Sequence, residues 1–294
     1  MQATQQIKYN ALARCKPLLG TYVTVKIVGN KVNDKILITA SDKIFSEISR
    51  ISDLLSFHLA TSELSYINKY AHKKSCIISI DMQYILEHAL NLSKLSNGAY
   101  DVTIAPFLCQ AGLLPNYYPE ITNYTANWQD VNLDGNKLSF ARPLAIDLGG
   151  VAKGYAVDRG FLIVEQLIND YNLQIIINAG GDMRMNKWQD EDVSIRLPKL
   201  DNGYVFTLPM QDYALATSAN YYLEGQQENS TIISTSEKKF IDSKYSVSVF
   251  AKNCMIADSL TKIVFLQKDS AKILVNYGAK KLILNSQGAI IDNI

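Results

Sequence analysis

The chain has little of what marks several specialised protein classes. It holds four cysteines, Cys15, Cys76, Cys109 and Cys254, none at CxxC spacing, and three histidines, His58, His72 and His88, none at a metal-finger distance from a cysteine. These counts argue against a disulfide framework and a zinc finger, and the cysteines read as small buried hydrophobes. Charge of one sign is also missing. Lysines and arginines number 29 against 28 aspartates and glutamates, and the basic pairs Lys73-Lys74, Lys238-Lys239 and Lys280-Lys281 are scattered. The electrostatic footprint of a nucleic-acid binder is therefore absent. No apolar run reaches membrane-spanning length. The N-terminal MQATQQIKYNALARCKPLLG has no signal-peptide apolar core, and Arg14 stands where a lipoprotein cleavage site would need a small or apolar residue. As written, the chain is expected to be cytoplasmic, or periplasmic or inner-membrane-associated if a leader has been removed. No repeat, low-complexity segment or linker-like boundary interrupts it.

What is present is a long, mixed pattern. With 294 residues, 48% of them hydrophobic, the chain can bury a large core. Residues 22–28 alternate as a strand, and 34–55 carry apolar residues at helical spacing (Ile36, Ala40, Ile44, Ile48, Ile51, Leu55). A short capped helix follows at 62–68, then a strand at 76–80. Asp81 reads as the N-cap of a helix ending at Asn97-Gly98. Asp134-Gly135 marks a hairpin. Strands are expected at 173–178 and near 192–197, 204–209, 213–218, 229–234, 245–251 and 280–284. Helices are expected at 255–266 and 269–277. The stretch on which the rest converges is 146–159. The apolar run Leu144-Ala145-Ile146 reads as the end of a buried strand. Asp147 and the pair Gly149-Gly150 then lead into a helix over about 152–171. Glycines between a strand and a helix let a ligand approach the backbone, and a helix N-terminus favours anions. Lys153 in the first turn opposes the helix dipole, which a phosphate lying over the helix start would explain. A tight turn with a solvated lysine is the alternative.

The order of short motifs along the chain is more specific than any one of them. They are Leu18-Leu19-Gly20-Thr21, Ser62-Glu63-Leu64, Gly98-Ala99-Tyr100-Asp101-Val102-Thr103, the run from Asp147 to Asp158, Asn178-Ala179-Gly180-Gly181-Asp182, Ala216-Thr217-Ser218 and Ala257-Asp258-Ser259-Leu260-Thr261. Together they resemble the FAD:protein FMN transferases, the ApbE-type flavin transferases, over most of the chain. The resemblance implies a mixed α/β (α+β) fold, a two-lobed single domain over 17–290 with an FAD cleft, preceded by an extension at 1–16. It implies FAD as substrate, Mg2+ at the diphosphate, and transfer of FMN to a threonine or serine of an acceptor protein with release of AMP. The acceptor would be a protein such as a subunit of a membrane redox complex. By the same resemblance Leu19, His58, Ala99, Tyr100, Asp101, Asp147, Lys153 and Ile233 contact the cofactor. Gly150, Asp258 and Thr261 ligate the metal, and Asp258 is the key catalytic residue. Magnesium prefers oxygen ligands, and Asp258 and Thr261 share a helix face. Each residue keeps a plainer alternative: Asp101 as a cap, His58 as a loop residue, Asp258 as a helix-start residue.

Three departures stand out. Leu19 replaces the family's usual methionine, and Lys262 stands where many members carry threonine. A subgroup with Pro-Leu-Leu-Gly-Thr, Ser-Phe-His and Leu-Thr-Lys shares these versions. The usual Ile-Asp-Pro-x-Thr-Gly is missing at 233–238, where the chain reads Ile233-Ser234-Thr235-Ser236-Glu237-Lys238. Two further readings therefore stay open, an FAD diphosphatase giving FMN and AMP, and a flavin-binding protein without turnover.

Overall fold

In the computed structural model, residues 9–118, 121, 125–198, 205–219, 232–235, 239–241, 244–267 and 269–293 are described. Strand β1 (Tyr9–Leu18) turns through Leu19-Gly20 into β2 (Thr21–Asn30). Alternation along β2 buries Val23, Val25 and Ile27 and exposes Tyr22. Helix α1 (Asp34–Leu55) is capped by Asn33, whose side chain accepts from the Lys35 N–H. Its apolar face is the one expected from the spacing. Next come α2 (Glu63–Tyr70), capped by Ser62, β3 (Cys76–Ile77), α3 (Ile80–Leu95) and α4 (Ala105–Gln110). The cap of α3 is Ser79 and not Asp81. Asp81 instead lies buried in the first turn, where it accepts from the Tyr155 hydroxyl at 2.6 Å. The expected hairpin forms from β4 (Val131–Asp134) and β5 (Lys137–Phe140), with its turn at Gly135-Asn136, one residue beyond the Asp134-Gly135 read from the sequence, since Asp134 pairs with Lys137.

The single helix expected over 152–171 is two helices, α5 (Ala152–Leu162) and α6 (Glu165–Tyr171). The β-branched pair Ile163-Val164 stands at the break, and such residues lose side-chain freedom in a helix. Then follow β6 (Gln174–Ala179), β7 (Asp182–Met185), β8 (Asp192–Arg196), β9 (Val205–Pro209), β10 (Ala214–Ala219), β11 (Ile233–Ser234), β12 (Lys239–Phe240) and β13 (Tyr245–Ala251). The chain ends with α7 (Cys254–Leu266), α8 (Ala271–Asn276), β14 (Lys280–Asn285) and β15 (Ile290–Asn293). Of the strand expected near 229–234, residues 229–231 lie outside the described residues.

Eight strands form the main sheet in the order β1-β2-β6-β7-β10-β13-β14-β15, and each neighbouring pair runs antiparallel. Residues 9–16, set apart by the sequence as an extension, are thus part of the edge strand, with Tyr9 opposite Asn30 and Leu18 opposite Thr21. Helix α5 packs between α1 and α7 over β6 and β7, and α7 lies over β10 and β13. Strand alternation sorts the core into two. Ala214, Ala216, Val247 and Val249 join the cluster under the helices. Leu215 and Phe250 join a smaller one on the opposite face, with Val193 and Ile195 from the β8–β9 hairpin. No helix among the described residues is long and apolar enough to cross a membrane. Cys76 and Cys254 are buried as expected, whereas Cys15 on the edge strand is exposed.

Candidate active site

The segment leading into α5, residues 144–148, pairs with no strand, contrary to the sequence expectation. A side chain takes the place of a neighbouring strand. The Ile146 N–H donates to Asn68 Oδ1, and Asn68 Nδ2 donates to the Ile146 carbonyl, each at 2.9 Å. The Asp147 N–H donates to the Val102 carbonyl at 2.8 Å. This fixes the entry into Gly149-Gly150, where the Gly149 N–H donates to Asp147 Oδ2 at 2.9 Å. Burial pushes the Asp147 carboxyl up from the usual range. Val151 occupies the N-cap position of α5, and its own side chain makes no capping bond. At this N-terminus the Val151 and Ala152 N–H groups donate to the Leu148 carbonyl, and the Gly154 N–H donates to the Asp258 carboxylate from α7. A Cβ at Gly150 would stand 3.5 Å from the Tyr100 hydroxyl and 3.9 Å from Lys262 Cε. The fold leaves room there for a Cβ.

This turn opens onto a cleft of about 570 Å³. Leu19, His58, Ala99, Tyr100, Asp101, Asp147, Gly150, Lys153 and Ile233, all expected from the sequence, line it. Leu19 and Gly20 form the two-residue turn between β1 and β2 with φ of 57° and 70°. Positive φ at both positions matches the twist of a hairpin, and for leucine it is uncommon. Ile51, Leu55, Phe57, Leu108 and Leu266 supply apolar wall. His58 is exposed in the loop after α1, and its carbonyl accepts from the Tyr117 hydroxyl at 3.0 Å. Asp101 is both cap and wall. Its Oδ1 accepts from the Thr103 N–H at 2.9 Å and the Thr103 hydroxyl at 2.8 Å, and its Oδ2 from the Trp128 N–H at 3.1 Å. Burial pushes the Tyr100 phenol up, and nearby Asp258, Asp147 and Asp101 push it further. In the segment that departs from the family pattern, the Thr235 hydroxyl donates to the Gly98 carbonyl at 2.7 Å. Thr231, Ser236, Glu237 and Lys238 lie outside the described residues.

Asp258 and Thr261 do not line the cleft; both are fully buried beneath it. Asp258 is not a helix-start residue, since Asn253 caps α7 and Asp258 lies a turn further on. Its Oδ2 accepts from the Gly154 N–H at 3.1 Å, and its Oδ1 forms an ion pair with the Lys262 ammonium. Burial alone would raise the Asp258 carboxyl, but Lys153 and Lys262 outweigh it and hold the group below the usual range. Lys153 pairs with Asp182. Burial would lower the Lys153 ammonium, and the carboxylates of Asp258 and Asp182 reverse that and raise it. The Thr261 hydroxyl donates to the Asp258 carbonyl at 2.7 Å and stands 2.7 Å from the Ser218 hydroxyl.

Several residues outside the expected set build this arrangement. Asp182 follows the glycine pair that turns β6 into β7, so its place in Asn-Ala-Gly-Gly-Asp was the available signal. Asp158, on the buried side of α5, accepts from the Cys254 and Met255 N–H groups at 2.9 and 2.8 Å and from Arg184 at 2.6 Å. It thereby fixes the start of α7 against α5. A Cβ at Gly154 would stand 2.3 Å from the Cys254 carbonyl oxygen and 2.9 Å from Asp258 Cβ, so this glycine permits the close approach of the two helices. Among the described residues no group of three or more His, Cys, Asp or Glu stands together as a metal site.

The chain matches the family model described as the ApbE family over residues 19–282. It is 28% identical over 265 residues to an FAD:protein FMN transferase of Vibrio cholerae serotype O1 (strain ATCC 39541 / Classical Ogawa 395 / O395), covering 83% of this chain and 78% of that protein. It is 25% identical over 255 residues to one of Chlamydia pneumoniae, covering 81% and 79%. Among solved structures, an ApbE protein of Thermotoga maritima superposes with a TM-score of 0.78 at 25% identity over 96% of each chain. The flavin transferase ApbE of Vibrio cholerae shares the fold with a TM-score of 0.78 at 23% identity, over 98% of this chain and 97% of that one.

Proposed function

The chain belongs to the ApbE family, and from that premise we propose that it is an FAD:protein FMN transferase. The observation that carries the reading is the convergence, in one cleft, of apolar wall, a glycine turn, a helix start and two ammonium groups. A dinucleotide has the matching parts: flat rings for the apolar wall and a diphosphate for the Gly149-Gly150 turn, the α5 N-terminus and Lys153. Tyr100, Ala99, Asp101, Leu19, His58 and Ile233 frame the rings, with Asp147 holding the glycine turn in shape. The hydroxyl oxygen of an acceptor threonine or serine bonds to the flavin-side phosphorus. The bond from that phosphorus to the bridging oxygen breaks, AMP leaves with that oxygen, and the hydroxyl proton passes to solvent. Cleavage needs alignment of these groups and neutralisation of phosphate charge.

Magnesium was the finer expectation, on Gly150, Asp258 and Thr261, where it would supply Lewis-acid charge to the diphosphate. The donor set does not fit a divalent ion as arranged. Both carboxylate oxygens of Asp258 already hold donors, and one of these is the Lys262 ammonium, a cation standing where the ion would bind; the Thr261 hydroxyl donates to the Asp258 carbonyl and pairs with Ser218. No step is routed through the ion. Incubating the protein with FAD, with and without a candidate acceptor domain, separates the readings. AMP release that depends on the acceptor supports transfer. AMP with free FMN regardless of acceptor supports a diphosphatase, and bound FAD with no AMP supports a binding protein.

A further inference from the structure

We propose that in this chain the Lys262 ammonium acts as the built-in cation of the site, so that the FAD diphosphate is cleaved without a divalent metal. The inference rests on the reading of the cleft as an FAD transferase site. Lys262 and Asp258 lie one turn apart on α7, on one helix face. Lys262 Nζ donates to Asp258 Oδ1 and, at 3.1 Å, to the Asp258 carbonyl. An ammonium has three donors and no acceptor. Two are directed to Asp258, which leaves the third for the cleft.

The order of the groups from cleft to core is what separates Lys262 from the residues around it. Lys262 lines the cleft with 18% of its side chain exposed, while Asp258 beneath it is 0% exposed. Any phosphate in the cleft therefore meets the ammonium before the carboxylate. The Lys262 stem runs beside Gly150, since a Cβ on that glycine would be 3.9 Å from Lys262 Cε. The ammonium group thus belongs to the volume bounded by Gly150 and Asp258, where a metal on those two residues would sit. Thr261, the third expected ligand, lies buried behind Ser218 of β10, which lines the cleft, with the two hydroxyls 2.7 Å apart. A divalent ion brought to Asp258 would also stand against two ammonium groups, because Lys153 acts on the same carboxylate. With Lys153 paired to Asp182, the cluster holds two ammoniums and two carboxylates without any added ion.

In the transfer step Lys262 stays protonated. Its charge stabilises the phosphate oxygens as the bond to the bridging oxygen breaks, and it is neither donor nor acceptor of the transferred proton. Lysine acts on phosphates as a point charge in this way.

The test compares the parent with Lys262→Thr and Lys262→Met, each freed of metal with a chelator and checked for folding by thermal melting. AMP release from FAD is followed in chelator and in Mg2+. Binding of Mn2+ in the presence of FAD is followed separately by electron paramagnetic resonance. The parent is expected to release AMP at rates that differ less than about threefold between chelator and Mg2+, and to bind no Mn2+. Lys262→Met loses about 100-fold or more in chelator. Lys262→Thr shows the same loss, recovers in Mg2+ and binds Mn2+, because removal of the ammonium frees Asp258 and adds a hydroxyl one turn away. A parent that is silent in chelator and revived by Mg2+, or Mn2+ binding by the parent or by neither protein, overturns the proposal. If the parent releases no AMP under any condition, the transferase reading fails on its own. The Mn2+ comparison between the parent and Lys262→Thr then still decides what occupies the cation position.

Discussion

At the scale of single residues, the site depends on how each charge is held. Asp258 was legible in the sequence as a member of Ala-Asp-Ser-Leu-Thr, but its environment was not. The sequence suggested a carboxylate at a helix start, whereas it is a fully buried group between Lys153, Lys262 and the Gly154 N–H. The consequence for mutation changes accordingly. Asp258→Asn leaves the Lys153 and Lys262 ammonium groups, both reached by solvent from the cleft, sharing the Asp182 carboxylate, and breaking such a partly screened pair costs about 1–3 kcal/mol. We expect this loss in chemical denaturation, together with a fall in AMP release of about 100-fold. A variant with parental stability and turnover would contradict the role given to the cluster. Lys262 was legible as a departure from the family's threonine that could bring a positive charge near the phosphates, whereas Asp182 was harder to see, because a carboxylate after a glycine pair is common at surfaces. Only the packing of α5 against α7 and β7 brings them to one point.

At the scale of elements, the sequence was most legible where periodicity was long. Helix α1 runs over Asp34–Leu55, the span that its apolar spacing predicts. It was least legible at β1, where Asn10, Arg14, Cys15 and Lys16 give no alternation. That strand is a sheet edge with few buried side chains, so little selects its pattern. The strand expected at Leu144-Ala145-Ile146 failed for a related reason. These residues are buried like a strand, but it is the Asn68 side chain that satisfies the backbone of Ile146. Two glycines on and beside α5 give separable predictions. Gly154→Ala places a methyl 2.3 Å from the Cys254 carbonyl oxygen. It should push α7 away from α5 and lower stability by about 1–3 kcal/mol. The Cβ of Gly150→Val meets only ordinary contacts; we expect its melting temperature to stay near parental while FAD binding, read by flavin fluorescence, weakens at least about 10-fold. Normal FAD binding by folded Gly150→Val would remove the diphosphate from this turn.

At the scale of the whole molecule, the mixed helices and antiparallel sheet agree with the expected family, although a single eight-stranded sheet carrying the helices on one face could not be drawn from local pattern. Such a sheet depends on pairings between residues far apart in sequence, as between β2 and β6. Long-range contacts also set the pH response. His88 on α3 stands 2.9 Å from the Ser259 hydroxyl on α7, and burial lowers its pKa to about 4. The folded state thus favours neutral imidazole. The stability this contributes is complete above the unfolded value of roughly 6.5 and is lost as pH falls toward the folded value. Urea unfolding at pH 7 and pH 4.5 should show the parent losing about 2–3 kcal/mol more than His88→Leu; equal losses would mean that His88 titrates freely in the folded state. The account as a whole stands on flavin transfer, and the intact mass of an acceptor domain tests it most directly. After incubation with the protein and FAD, the acceptor should gain the mass of one FMN less water on a single threonine or serine, with an equal amount of AMP released. An unmodified acceptor beside stoichiometric free FMN and AMP would contradict it.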